Sequence, residues 1–257
     1  MKHFAGIDVG SLTAKAVVID ENNRILGSHI MPVGQDSLAA GMNAYTQALS
    51  KAGLKKEDVA SIVSTGYSRK RFTEATMQKT EISCHARGIS VVFPKVATLI
   101  DVGGQDSKAM KIGKDGKVLD FAMNDKCAAG TGRFVDVMAH ALNLTLPGLS
   151  DAALSFKEEL TLSSTCTVFG ESEVISLLSQ GQSVPDISWA IIKSIADRLV
   201  SLVKRVGIEQ DIAMSGGMAK NKALVSRLED RIGFDILVPE EPQIMGAFGA
   251  AVIAKGA

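Results

Sequence analysis

Two stretches, GIDVGSLTAK at residues 6–15 and LIDVGGQDSK at residues 99–108, share one pattern: an apolar run, Asp-Val-Gly, a polar turn, then a lysine before the next apolar run. Asp8 and Asp101, Val9 and Val102, Gly10 and Gly103, Lys15 and Lys108, and Ala16 and Ala109 pair at one fixed offset. Each stretch reads as strand, turn, strand, because apolar residues flank a short polar turn that contains glycine. Two such hairpins at matching places argue for a duplicated α/β unit. In an Asp-x-Gly turn the glycine lets backbone N–H groups approach an anion, and the carboxylate can hold a metal ion through water. Taken singly, Gly10, Gly103 and Gly104 are ordinary hairpin glycines. Taken together with MSGGMAKN at 214–221, whose glycine pair would let an adenine lie against backbone, they point to a nucleotide.

Outward from these hairpins the pattern alternates. DSLAAGMNAYTQALSKAG (36–53) has an N-cap candidate, apolar spacing of three and four, and a glycine stop, which predicts a helix. A strand follows at VASIVSTG (59–66). Helices are predicted from about Thr131 to Leu142 and from Thr167 to Gln180, the second stopped by Gly181. A longer one after Pro185 keeps Ile187, Ile191, Ile195, Leu199, Leu202 and Val206 on one face. The end of the chain reads as strand DIAMSGG, helix from Ala219 to Arg231, strand FDILVP and a small-residue helix QIMGAFGAAVIAK.

The chain has 257 residues, enough for a substantial core. Lys plus Arg and Asp plus Glu both total 28, so bulk charge favours neither nucleic acid nor a membrane surface as partner. The opening MKHFAGIDVG has no apolar signal core, and GAFGAAVIA falls far short of the roughly 20 residues that span a bilayer. The expectation is a soluble, cytoplasmic protein. Three cysteines without a close pair make no disulfide framework.

No Walker loop GxxxxGK[ST] occurs, and GTGRFV completes only part of a dinucleotide fingerprint. Over nearly its whole length the chain instead resembles the actin, Hsp70 and sugar kinase superfamily of ATPases. The resemblance rests on the two phosphate turns, the adenosine turn MSGGMAKN and the connecting helix GAFGAA. It implies a duplicated ribonuclease H-like (actin-like ATPase) α/β fold with two lobes around a nucleotide cleft. Residues 1–93, completed by helix 243–257, would form the first lobe, and 94–242 the second. By the same resemblance Asp8 and Asp101 would serve Mg²⁺, while Gly10, Ser11, Thr13, Lys15, Gly103 and Gly104 would line the phosphates. Gly216, Gly217, Asn221 and Gln243 would sit near the nucleoside. Because the protein's task in phosphoryl transfer is mostly to position groups and spread charge, Gln105 is the candidate that orients the attacking water.

The superfamily leaves Cys127 and Cys166 unexplained. NDKCAAGTGRF (124–134) and SSTCTVFGESE (163–173) each put a cysteine just before a predicted helix, where exposed N–H groups and the helix dipole favour a thiolate. A four-iron cluster takes four thiolates, and a two-fold dimer would supply two from each chain. Together with STGYSR and EISCHARG, these motifs resemble the activators of 2-hydroxyacyl-CoA dehydratases and the ATPase subunits of benzoyl-CoA reductase. That resemblance implies a homodimer with one bridging [4Fe–4S] cluster held by Cys127 and Cys166. It also implies ATP-driven delivery of one low-potential electron to a dehydratase or related reductase, with ferredoxin or flavodoxin as donor. Cys84 and His85 read as packed side chains. Glu171 and Glu173 read as structural partners of the helix start more than as a switch. Leu12 stands where the family usually has threonine, and Gly170 where it has alanine. Two alternatives of the same fold are a small-molecule kinase and an actin-like or chaperone-like nucleotide switch; neither accounts for the cysteine motifs.

Overall fold

The structure, a computed structural model, describes residues 2–163 and 166–256; Ser164 and Thr165 of the second cysteine motif lie outside the described residues. The chain runs β1 (His3–Val9), β2 (Thr13–Ile19), β3 (Ile25–Pro32), α1 (Ser37–Ala52), β4 (Val59–Thr65), β5 (Met77–Gln78), α2 (Glu81–Val92), β6 (Thr98–Val102) and β7 (Ser107–Ile112). It continues through β8 (Val118–Asn124), α3 (Gly132–Ala141), α4 (Leu146–Ala153), α5 (Thr167–Ser179), α6 (Val184–Val206), β9 (Ile212–Ser215), α7 (Lys222–Ile232), β10 (Ile236–Leu237) and α8 (Met245–Ala254). Contacts divide these elements into two compact units.

The first unit takes the chain up to Val96, together with Ile112–Leu119 and the segment from Pro239 onward. Its sheet has the order β3-β2-β1-β4-β5, antiparallel across β1–β2 and β2–β3 and parallel across β1–β4 and β4–β5. Phe4 to Val9 of β1 are all buried, as an apolar central strand covered on both faces requires. Ala5, Ile7 and Val9 meet Ala44, Tyr45 and Ala48 of α1 in one core cluster. Helix α8 packs on β1 and on α2. Its close approach explains its composition: a Cβ on Gly6 would overlap the Ala247 carbonyl, and one on Gly249 would overlap that of Cys84. Helix α1 obeys its sequence signals, with the Asp36 carboxylate accepting from Leu38 and Ala39 N–H and Gly53 ending it at φ 67°.

The second unit comprises Ala97–Lys111 and Asp120–Val238. Its sheet has the order β10-β9-β6-β7-β8, parallel across β10–β9 and β9–β6 and antiparallel across β6–β7. The core gathers Ile100 and Val102 of β6, Phe134 and Met138 of α3, and the Ile187, Ile191, Ile195, Leu199 stripe of α6. The stripe predicted from spacing is therefore the buried face.

Several elements depart from the sequence pattern. Helix α7 starts at Lys222, not Ala219, because Asn221 Oδ1 accepts from Leu224 N–H and caps it there; a 3-10 turn over Gly217–Lys220 precedes it. Strand β10 keeps only two residues of FDILVP, and α8 begins at Met245 after a 3-10 turn over Pro242–Ile244. Strands β3, β5 and β8 and helices α2 and α4 went unforeseen. Gly27, Ser28 and His29 interrupt the apolar pattern of β3, and Pro147 and Gly148 make the start of α4 look like a turn, although proline suits a first helical turn.

Candidate functional site

In the first unit, β1 delivers Asp8 to the start of the turn into β2. Asp8 is cross-strand from Lys15 on one side and Thr65 of β4 on the other. Its Oδ2 lies 3.1 Å from Lys15 Nζ, and the carboxylate is buried. The turn closes as Gly10 N–H donates to Thr13 O across 3.1 Å, while Leu12 O accepts from Val33 N–H. Ser11 and Thr13 are half-buried beside it, and Leu12 is exposed. Gln243, in the 3-10 turn before α8, belongs to this unit as well.

The second unit repeats the arrangement. Asp101 is cross-strand from Lys108 and from Ser215 of β9. Ser215 Oγ donates to Asp101 Oδ1 across 2.9 Å, and Lys108 Nζ stands 3.6 Å from Asp101 Oδ2 and 2.8 Å from Asp106 Oδ2. Gly103 N–H donates to Asp106 O across 2.9 Å, which leaves Gly104 and the exposed Gln105 at the tip. The match extends past the hairpins. Gly66 after β4 has φ 92° and Gly216 after β9 has φ 87°, a region that favours glycine. A Cβ on Gly66 would overlap Val9 O and stand 2.6 Å from Asp8 Oδ1; one on Gly216 would overlap Val102 O and stand 2.9 Å from Asp101 Oδ1. Each aspartate thus has a backbone turn pressed against it, and in each unit only glycine fits.

Gly216 and Gly217 lead to Asn221, which is buried. Its Oδ1 is used on the α7 cap, while its Nδ2 has no hydrogen-bond partner among the described residues. A buried amide donor left open is costly unless a ligand acceptor meets it, which suits a residue of an adenosine turn.

Both Cys127 and Cys166 lie in the second unit, and both are exposed. Cys166 is the N-cap of α5, as the sequence suggests. Cys127 departs from expectation: it precedes α3 by a turn, and the cap is Thr131. The first N–H groups of α3 are not directed at Cys127, because Gly132 N–H donates to Gly103 O and Arg133 N–H to Gly104 O, each across 2.9 Å. Helices α3 and α5 pack together, and Gly170 permits it: a Cβ there would stand 3.0 Å from Met138 Cε. Glu173 accepts from Ser163 N–H at 2.8 Å and from Ser163 Oγ at 2.9 Å. Cys84 lies in the first unit, and burial pushes its thiol up to about 12. His85 is buried beside it, and a Cβ on Gly246 would stand 2.6 Å from His85 Nε2 and 3.0 Å from Asp8 Oδ2. Among the described residues no group of three or more His, Cys, Asp and Glu is placed to hold a metal ion.

Sequence reasoning missed Lys108 as a site residue, and Ser215, Gly66 and Asn124 altogether. Lys108 and Gly66 were within reach. Lys108 is the counterpart of Lys15 at the same offset, and Ser-Thr-Gly closes β4 where Met-Ser-Gly closes β9. Ser215 and Asn124 act across sequence distance or through a loop fold, and no local pattern marks them. Among the described residues no helix is long and apolar enough to cross a membrane.

Comparison with known proteins gives a consistent picture. The profile of the BadF/BadG/BcrA/BcrD ATPase family matches residues 5–254. The 2-hydroxyisocaproyl-CoA dehydratase activator of Clostridioides difficile is 42% identical over 249 residues, covering 97% of this chain and 93% of its own length. A solved structure of that activator with bound ADPNP has a TM-score of 0.93 at 41% identity, covering 98% of this chain and 94% of its own. Component A of the (R)-2-hydroxyglutaryl-CoA dehydratase of Acidaminococcus fermentans has a TM-score of 0.96 at 40% identity, covering 100% and 98%. A ROK family glucokinase from Streptomyces griseus has a TM-score of 0.64 at 14% identity, covering 99% and 100%. This last likeness concerns the fold alone, and it bears out the duplicated α/β architecture of the actin and sugar kinase type.

Proposed function

Because the chain belongs to the BadF/BadG/BcrA/BcrD ATPase family, we propose that it hydrolyses ATP to drive one low-potential electron into a 2-hydroxyacyl-CoA dehydratase or a related reductase. The observation that carries this reading is the backbone link from Gly103 and Gly104 to Gly132 and Arg133, which joins the second phosphate turn to the helix behind Cys127. In a redox ATPase such a link would carry a change at the phosphates toward the cysteine loop.

In this reading Asp8 and Asp101 serve Mg²⁺, and their lysine partners, Lys15 and Lys108, hold the carboxylates neutralised until the metal and phosphates arrive. Gly10, Ser11, Thr13, Gly103 and Gly104 offer turn backbone and hydroxyls to the phosphates. Gln105 orients the attacking water. Gly216, Gly217 and the open amide of Asn221 receive the nucleoside.

The thiols fit an iron–sulfur cluster by their chemistry. Cys127 and Cys166 are exposed soft donors, whereas Cys84 is sealed in the core as the neutral thiol. One chain supplies half of a four-thiolate set, so Cys127 and Cys166 of two copies would complete it in a homodimer. When bound, the cluster supplies one-electron chemistry at low potential. Ferredoxin or flavodoxin in the cytoplasm is the reductant of this scheme.

Anaerobic purification tests the reading. A brown protein with about four irons per dimer, lost in Cys127→Ala and Cys166→Ala, is the expected result. A colourless protein that stays fully active as an ATPase after anaerobic supply of iron and sulfide overturns it, as does transfer of phosphate to a sugar.

A further inference from the structure

The segment between β8 and α3 carries Cys127, and one side chain organises its backbone. Asn124, the last residue of β8, donates from Nδ2 to Cys127 O across 2.9 Å and to Ala129 O across 3.0 Å. The carbonyl between them, Ala128 O, accepts from Thr131 N–H at 3.0 Å and from Thr131 Oγ1 at 2.6 Å. Three consecutive carbonyls are thereby engaged within the loop itself. Gly130, at φ 92°, turns the chain into the Thr131 cap, and the next two N–H groups bind Gly103 O and Gly104 O.

Packing holds only the second half of this loop: Ala129, Gly130 and Thr131 are buried, with Ala129 in the core of the unit, whereas Asp125, Lys126 and Cys127 are exposed. A cavity of about 550 Å³ lies within the second unit, and Asn124, Cys127, Gly130 and Arg198 are among its walls. A Cβ on Gly130 would stand 3.5 Å from Arg198 Cδ and 3.5 Å from Asn124 Nδ2, so loop and cavity share that wall. In the exposed half, from Asp125 to Cys127, no core packing fixes the backbone, and its shape depends on the hydrogen bonds of the loop. Asn124 supplies two of them from outside the turn. Cys166 is connected differently: it caps α5, whose link to α3 is side-chain packing at Gly170 against Met138 and Phe134.

We propose that Asn124 is a positioning residue that makes the Cys127 loop a rigid extension of α3, so that a nucleotide-driven shift of the Gly103–Gly104 turn is delivered to the Cys127 thiol. Without the amide clamp the loop would absorb the shift. The clamp also makes Cys127 the directly coupled cysteine of the pair, while Cys166 follows through packing. This rests on the preceding reading of the turn as a phosphate site and of Cys127 as an iron ligand.

The test uses the full-length, cluster-free protein and follows alkylation of Cys127 and Cys166 by iodoacetamide in the same molecule by mass spectrometry, with and without Mg–ADPNP. In the wild type the nucleotide is expected to change the Cys127 rate more than the Cys166 rate. Asn124→Asp keeps the side-chain shape but turns both donors into acceptors, and Asn124→Ala removes the group. In both, Cys127 is expected to react on the order of tenfold faster without nucleotide, because the two hydrogen bonds that Asn124 gives the loop are lost. Its response to Mg–ADPNP disappears, while the Cys166 rate stays at the wild-type value. Equal acceleration at both thiols would mean general loosening and overturns the proposal. So does a wild-type Cys127 rate and nucleotide response in both variants, or a wild-type Cys127 indifferent to nucleotide. The iron content of the wild type decides the iron-ligand reading separately, because the alkylation experiment contains no iron.

Discussion

Gly132 donates its backbone N–H to the carbonyl oxygen of Gly103 across 2.9 Å, so the helix behind Cys127 begins on the turn that follows Asp101. A rigid bond of this kind converts a small displacement of a turn into movement of a whole helix, because packed elements shift as units.

Gly132→Ala tests the bond. A Cβ there would stand 3.0 Å from Gly103 O and 3.5 Å from Gly104 Cα, close enough to push the turn away by a few tenths of an ångström. Loss of good geometry in this bond is expected to cost about 1 kcal/mol and to slow ATP hydrolysis. Chemical denaturation and steady-state phosphate release measure the two effects. Wild-type values in both would show that the helix start tolerates displacement.

Gly66→Ala and Gly216→Ala should behave as a pair, because both glycines hold left-handed backbone against an aspartate carboxylate. Strain of about 1–3 kcal/mol is expected in each, with overlap of Val9 O or Val102 O added to it. Each kcal/mol lowers Tm by about 2–4 °C for a chain of this size. Gly216→Ala is also expected to weaken ADP binding in calorimetry.

Lys108→Met removes a buried cation from between Asp101 and Asp106, to which Nζ stands at 3.6 and 2.8 Å. Breaking a buried pair by deleting one partner costs about 3–5 kcal/mol. Mg²⁺ should restore part of that loss by taking the place of the lysine charge. Thermal unfolding with and without Mg²⁺ measures it, and a variant that Mg²⁺ does not stabilise more than the wild type would contradict the role given to Asp101.

Cys84 provides a pH test. Burial raises its thiol from 9.0 to about 12, so the neutral form is the one the fold accommodates. The stability this contributes is fully present below about 9 and is lost as pH rises toward about 12. Cys84→Ala should therefore unfold less steeply in alkali than the wild type, in denaturation followed across that range. At neutral pH, alkylation of the folded, cluster-free protein should reach Cys127 and Cys166 and spare Cys84.

The paired hairpins, α1 with its Asp36 cap and Gly53 stop, and the buried stripe of α6 were legible because each depends on signals a few residues long. The two Asp-x-Gly turns were legible for the same reason: each is a local device, and its repetition could be counted. Helix α2 was not, since EISCHARGISVV offers Cys84, His85 and Gly88, positions that only become buried when α8 approaches at Gly249. The open amide of Asn221 was equally hidden, because its residue type was visible but its burial was not.

The sequence by itself determined the duplicated unit, the family resemblance and the candidate ligands, all of which are written in residue types at short spacing. Tertiary structure alone decided how those parts are joined. It directed the first N–H groups of α3 to Gly103 and Gly104 instead of to Cys127, placed Ser215 on Asp101, and set Asn124 across the Cys127 loop. Hydrogen bonds between distant segments depend on how sheets and helices pack, and that packing is a property of the whole chain.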